Sequence, residues 1–314
     1  MLGTVGRARG QRAVRRFLLA GLVVPLTIAG FAPAAHADGN TTITPEITRT
    51  TQTVSVGNLA RYVVTLTNSG PAQSNKGLVF TVSTTPGANI QSRTQTSGPS
   101  TWACTAPSGT SATCTLAAGM IGSEVDKFEV IVQAPSTPGD MTVTASVAQG
   151  VPSQPHPQAT KSASDTVTVA SGTPDGSGTF GGYCPASGCT FTSGSGTTRV
   201  TIVFATGGFD FVFDLAAATT CGVTCTGLTL GADTIPATAT VTFTYDPSVV
   251  NAGLGGTPVT FKYTSTDKST AGTPIASDSH GQNSDGSYYV IVTLAPGDPR
   301  VGNFYVPPTL PIVG

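Results

Sequence analysis

The sequence predicts an all-β protein of two antiparallel β-sandwich domains in series behind a removable leader. Three observations carry this. First, 53 of the 314 residues are Thr, 38 are Gly and 23 are Pro, while charged residues make up only 10%. Good helix formers are thus scarce, and β-branched and turn-forming residues abound. Second, apolar residues alternate with polar or small ones in short runs, the period of a half-buried strand. Third, Gly, Pro and Asn clusters punctuate those runs. A hydrophobic content of 39% supplies enough apolar surface for packed cores, which argues against wholesale disorder.

The chain opens with Arg7, Arg9, Arg12, Arg15 and Arg16, then an uncharged apolar run from Phe17 to Phe31, then Ala35-His36-Ala37. A basic start, an apolar middle and a small-x-small site are the parts of a secretory signal, with cleavage between Ala37 and Asp38. The apolar run is interrupted by Pro25 and falls short of the roughly 20 residues a membrane helix needs, which disfavours an anchor. Arg15-Arg16-Phe17-Leu18 lacks the spacer of a twin-arginine signal, so the general export route is expected. Its Ala- and Arg-rich composition points to a high-GC bacterium. No second apolar run of comparable length follows, so no membrane span is expected in the mature chain.

The leader also distorts the charge. With its five arginines removed, 10 basic groups face 16 acidic ones, a formal charge of −6 rather than −1. An acidic, lysine-poor surface repels phosphate backbones, and nucleic acid is excluded as a partner.

Residues 40–169 read as the first sandwich. Tyr62, Val64 and Leu66 share one strand face, as do Phe128, Val130 and Val132, and Met141, Val143, Ala145 and Val147. Faces of this kind must be covered by a second sheet. Gly150 to Pro157 has the composition of a linker, but Thr166-Val-Thr-Val169 still alternates beyond it and is expected to be the last strand. The linker is therefore placed at residues 170–179, ASGTPDGSGT, which holds nothing to bury.

Val56-Gly57-Asn58, then Tyr62-Val-Val-Thr-Leu-Thr-Asn68-Ser69-Gly70-Pro71, resembles the opening of a repeat from bacterial envelope proteins catalogued as domain of unknown function eleven. Trp102-Ala103-Cys104 and Cys114-Thr115-Leu116-Ala117-Ala118-Gly119 also look like that family, whereas Thr85-Pro86 departs from its usual Leu-Pro pair. The resemblance implies an immunoglobulin-like sandwich on a secreted or surface-attached protein, with no catalytic residues to carry over. Read physically, Gly57-Asn58 makes a tight turn into a long strand, and Asn68 to Pro71 ends it. Tyr62 reads as a core tyrosine.

Residues 180–314 read as a second, four-cysteine sandwich. Its expected strands are Arg199 to Ala205, Phe209 to Leu215, Thr238 to Tyr245, Pro258 to Tyr263, Tyr288 to Leu294 and Asn303 to Val306. Each half is large enough to bury its own core.

Six cysteines in an exported chain favour disulfides over metal. Cys104 and Cys114 flank a Pro-Ser-Gly-Thr-Ser turn and are expected to close a hairpin. Cys184, Cys189, Cys221 and Cys225 allow three connectivities, of which the local rings Cys184–Cys189 and Cys221–Cys225 are favoured. Zinc is the rival, though neither spacing is the close C-x2-C of most zinc ribbons. No cofactor is expected.

Catalytic signals are weak. His36 belongs to the leader, His156 lies between prolines, His280 sits in a polar turn, and no G-x-S-x-G elbow occurs. Asp210 and Asp214 point to the strand face opposite Phe209, Phe211, Phe213 and Leu215. They are the carboxylate pair a carbohydrate-active enzyme or binding module would use, while a solvated face is the plainer reading. The acidic loop from Asp278 to Asp285 departs from calcium-loop spacing and reads as a polar turn. Leu310-Pro311-x-x-Gly314 approaches a sortase signal, but Val313 stands where the covalent chemistry needs Thr. Trp102, the single tryptophan, is expected to pack near Cys104, which argues against a sugar-stacking platform. The function class that results is a secreted or cell-surface, non-enzymatic structural or adhesion-type protein, with cell-envelope components or surface proteins as partners.

Overall fold

The computed structural model describes residues 41–149, 159–171, 178–195, 198–217, 228–231, 236–245, 261–264, 273–275, 278–296 and 303–305. Strands are the only regular elements among them. The first half contains β1 (Ile43–Arg49), β2 (Val54–Ser55), β3 (Leu59–Asn68), β4 (Leu78–Thr84), β5 (Asn89–Ser97), β6 (Ala103–Cys104), β7 (Ser111–Leu116), β8 (Val125–Gln133), β9 (Gly139–Gln149) and β10 (Lys161–Ala170). They build a four-stranded sheet in the order β1-β3-β8-β5 and a six-stranded sheet in the order β2-β10-β9-β4-β7-β6.

The three predicted apolar faces are the core of this sandwich. Tyr62, Val64 and Leu66 of β3 are fully buried, and register sets Tyr62 opposite Val130 and Val64 opposite Phe128 on β8. Met141, Val143, Ala145 and Val147 of β9 close on them from the other sheet. Each of the larger apolar side chains among them contributes roughly 1.5–3 kcal/mol on burial. Trp102 joins Phe80 and Phe128 in an aromatic trio, with ring centroids 4.7–6.2 Å apart.

All pairings in this half are antiparallel except one: β2 runs parallel to the end of β10, Val54 beside Val169 and Ser55 beside Ala170. The strictly antiparallel expectation fails there because the chain reaches β2 by crossing between sheets, and only a hairpin forces reversal.

The second half contains β11 (Gly178–Cys184), β12 (Cys189–Ser195), β13 (Thr198–Phe204), β14 (Phe209–Ala217), β15 (Leu228–Gly231), β16 (Ala239–Tyr245), β17 (Phe261–Thr264), β18 (Thr273–Ile275), β19 (Ser279–Gln282), β20 (Tyr288–Leu294) and β21 (Asn303–Tyr305). Their sheets are β11-β14-β15, β12-β13-β16-β20-β19 and β18-β17-β21. The first two face each other across phenylalanines: Phe204 stacks on Phe213 at 6.1 Å, and Phe191 meets Phe180 at 5.2 Å and Phe211 at 6.0 Å. The six predicted strands are β13, β14, β16, β17, β20 and β21. The sequence pattern does not predict β11, β12, β15, β18 and β19.

Ala170 closes β10 and Gly178 opens β11, while residues 172–177 of the expected linker lie outside the described residues. The expected leader with its Ala37–Asp38 site, the loop around His156 and the Pro-rich C-terminal segment also lie outside them.

Candidate functional site at the seam of the two sandwiches

Two disulfides are present among the described residues, and one of them, Cys184–Cys189, borders the site. Cys104 and Cys114 face each other across β6 and β7 and are bonded, with Cα atoms 4.0 Å apart. Ser108 and Ser111 exchange main-chain hydrogen bonds at 2.8 and 3.1 Å to close the hairpin between them. Cys184 and Cys189 are also bonded, joining the end of β11 to the start of β12 across the turn Pro185-Ala186-Ser187-Gly188. Gly188 needs its φ of +88° there, and a Cβ would lie 2.4 Å from the Phe204 carbonyl oxygen. Cys221 and Cys225 lie outside the described residues. None of the described cysteines is free.

β11 lies against β2 and β3 of the first sandwich. The approach is close enough to require glycine: a Cβ on Gly181 would stand 2.6 Å from the Thr53 carbonyl oxygen, and one on Gly182 3.0 Å from Cβ of Asn58. Polar bonds then lock the seam. The Gly181 N–H donates to Ser55 Oγ at 3.0 Å, and Asn58 Nδ2 donates to the Gly181 carbonyl at 3.1 Å. Thr51 Oγ1 donates to Asp210 Oδ1 at 2.5 Å. Arg61 bonds Glu129 through Nε at 2.7 Å and sits 5.5 Å over the centre of the Tyr183 ring, a cation–π contact worth about 1 kcal/mol. Burial, followed by the negative charges of Glu129 and Asp210, raises the Tyr183 phenol above its ordinary range, against the opposing pull of Arg61.

Beside the seam opens a cleft of about 310 Å³, to which both sandwiches contribute, at the small end of the roughly 300–1,000 Å³ typical of ligand sites. The first sandwich supplies Gly57-Asn58-Leu59, Gln91 and Gln133; the second supplies Tyr183, Pro185, Thr190 and Phe211 among others. Gln91 Nε2 donates to Gln133 Oε1 at 2.9 Å, and Gln133 Nε2 donates to the Gly57 carbonyl at 3.3 Å. No side chain in its lining is charged.

The carboxylates flagged by sequence are placed as follows. Asp210 is exposed on the face opposite the phenylalanines and accepts the Thr51 hydroxyl bond, while the side chain of Asp214 is outside the described set. Asp278 Oδ2 accepts the Thr293 N–H at 2.6 Å. Asp285 Oδ1 accepts the Ser287 N–H at 2.9 Å and hydroxyl at 2.6 Å, bonds that lower its carboxyl below the usual range. Asp285 shapes the turn between β19 and β20, and Asp278 ties the start of β19 to the end of β20. Trp102 is buried in the first core, and its Nε1 donates to Asp126 Oδ2 at 2.7 Å. Among the described residues no group of three His, Cys, Asp or Glu gathers as a metal site, and no helix is long and apolar enough to cross a membrane.

Sequence reasoning missed the cleft. Its residues are dispersed amides, glycines and apolar side chains from five segments, and only a short run such as Gly181-Gly182 inside a strand carries a signal of close approach.

No protein-family model matches the chain, and no curated protein matches its sequence. Solved structures resemble it more distantly. The C-terminal domain of the Streptococcus pyogenes antigen I/II-family protein AspA is 10% identical, with a TM-score of 0.38, over 84% of this chain and 89% of that one. The major pilin subunit BcpA of Bacillus cereus is 11% identical, with a TM-score of 0.31, over 81% and 66%. A collagen-binding domain from a Staphylococcus aureus adhesin is 9% identical, with a TM-score of 0.28, over 40% and 98%.

Proposed function

We propose that this is an exported, non-enzymatic structural or adhesion-type protein of the bacterial envelope, acting at or beyond the cell surface. The observation that carries the reading is the disulfide pair Cys104–Cys114 and Cys184–Cys189. Such bonds form and persist in oxidising compartments, which agrees with the secretory leader read at residues 1–37. The docked seam supports a scaffolding role, because β-sandwiches joined by hydrogen bonds from Ser55, Asn58 and Thr51 hold a fixed geometry better than a tether does. The resemblance of residues 40–169 to domain of unknown function eleven is part of the same proposal, as is the division at residues 170–179. Against the carbohydrate-active enzyme reading stands Asp210, whose carboxylate is engaged by Thr51 across the seam.

Fractionating producing cells into medium, wall, membrane and cytoplasm, then sequencing the mature N-terminus, tests the proposal. A chain starting at Asp38 outside the cytoplasm, without free thiol, is expected. Recovery from the cytoplasm with residues 1–37 intact and cysteines reduced overturns it.

A further inference from the structure

We infer that the cleft between the sandwiches binds a neutral carbohydrate segment of one or two rings. Its lining disfavours charged ligands, since none of its side chains carries a charge and the nearby Arg61 is already paired with Glu129. What the lining offers is carboxamides. Asn58 Nδ2 is committed to Gly181 and Gln91 Nε2 to Gln133, while among the described residues nothing donates to Oδ1 of Asn58 or Oε1 of Gln91. Each of these two carboxamides therefore keeps an acceptor oxygen and the second N–H of its amide, and a sugar hydroxyl is also both donor and acceptor. The match to vicinal hydroxyls is therefore closer than to a carboxylate or an amine. Leu59, Pro185 and Phe211 supply apolar wall for the C–H faces of a ring.

The backbone singles out the same place. The β5–β8 ladder pairs Ile90 with Val132 and then Ser92 with Ile131, leaving Gln91 as the extra residue of a β-bulge. Bulges re-aim side chains and cluster beside functional sites. This one turns the Gln91 carboxamide onto Gln133 at the cleft rim.

The bulge also decides against the competing class of ligand, an extended peptide. Strand addition needs an unbroken main-chain edge. β5 is an edge strand with two breaks in register, near Gln91 and near Thr96, and the N–H of Ile90 is already given to the Gly109 carbonyl at 2.8 Å.

The test is calorimetric titration of the full mature chain with maltotriose, cellotriose and triacetylchitotriose, three neutral probes. One-to-one saturable binding of at least one is expected, weakened about tenfold by Gln133→Ala, which removes the partner that positions the Gln91 carboxamide. Gln91→Ala on the exposed bulge should weaken it similarly with an unchanged melting temperature, and Gln282→Ala at the end of β19 should leave it intact. Absence of saturable binding to all three probes overturns the inference. So does binding that neither cleft variant alters, or binding of an extended peptide that Gln91→Ala abolishes. The measurement uses purified protein, so its outcome is independent of where the cell places the chain.

Discussion

Trp102 Nε1 donates to Asp126 Oδ2 at 2.7 Å inside the first sandwich, which makes the chain's single tryptophan the reporter of a buried acid. Burial, then the charge and hydrogen bonding of neighbouring Glu124, push the Asp126 carboxyl up to about 6, against the lowering effect of the Trp102 bond. Glu124 is itself buried and accepts the Ile121 N–H at 2.6 Å.

The sign of the pH effect follows. The folded state binds the Asp126 proton more tightly than the unfolded chain, whose carboxyl titrates near 3.9. The resulting stabilisation is fully present below that value and is lost as pH rises through about 6. The expected loss is on the order of 2–3 kcal/mol. Asp126→Asn keeps an acceptor for Trp102 and should flatten the dependence. Urea melts followed by Trp102 fluorescence between pH 4 and 7 check it; equal slopes in the two proteins would refute the assignment.

A second prediction concerns Asn68, which is fully buried at the end of β3. Its Nδ2 donates to the carbonyls of Ala72, Met120 and Ile121 at 2.9, 3.2 and 2.8 Å, and its Oδ1 accepts the Gly70 N–H at 3.1 Å. Asn68→Ala leaves these main-chain groups without that partner, at a cost of about 2–4 kcal/mol. Asn68→Asp should be nearly as damaging, because a carboxylate oxygen faces three carbonyls. Thermal melts of the full chain measure both, and a loss below that of an ordinary surface substitution would contradict the hub role.

The reach of the sequence can be argued from the same residues. Period-two alternation made β3, β8 and β9 readable because their inward faces are continuously apolar, and it made β13, β14 and β20 readable likewise. β11 and β12, GTFGGYC and CTFTSGS, escape because glycine carries no face. The reason for Gly181 and Gly182 lies far away in sequence, in the segment from Thr53 to Asn58. Asn68 was legible as a turn residue, yet its part as a hub for the loop at Met120 and Ile121 depends on a contact between distant segments. Trp102 was expected beside Cys104; the acceptor that fixes it comes from β8.

A third prediction follows from the Cys104–Cys114 ring. Closing a loop of this length stabilises the folded state by about 2–3 kcal/mol through the entropy of the unfolded chain. The double variant Cys104→Ser, Cys114→Ser should lose about that much from the first sandwich, as read by denaturant midpoint. Single Cys104→Ser should lose at least as much and expose one titratable thiol. A double variant as stable as the parent would show that the hairpin's own bonds already restrict the chain.

The fourth prediction tests the seam itself. Gly181 is held on both sides: its N–H donates to Ser55 Oγ, its carbonyl accepts from Asn58 Nδ2, and a Cβ added to it would stand 2.6 Å from the Thr53 carbonyl oxygen. Gly181→Val must push β11 off β2 and β3, breaking those two bonds and moving Tyr183 from beneath Arg61. Overpacking of this kind costs about 1–3 kcal/mol, and Gly181→Ala should show a smaller form of the same effect. Because the seam bonds couple the sandwiches, calorimetry of the parent should give one shared unfolding transition, and Gly181→Val should separate it into two. The change should leave the Asp126-dependent pH slope untouched, since that acid lies within the first core. Two transitions in the parent, or one unshifted transition in the variant, would mean that the main chains do not bear on each other at Gly181.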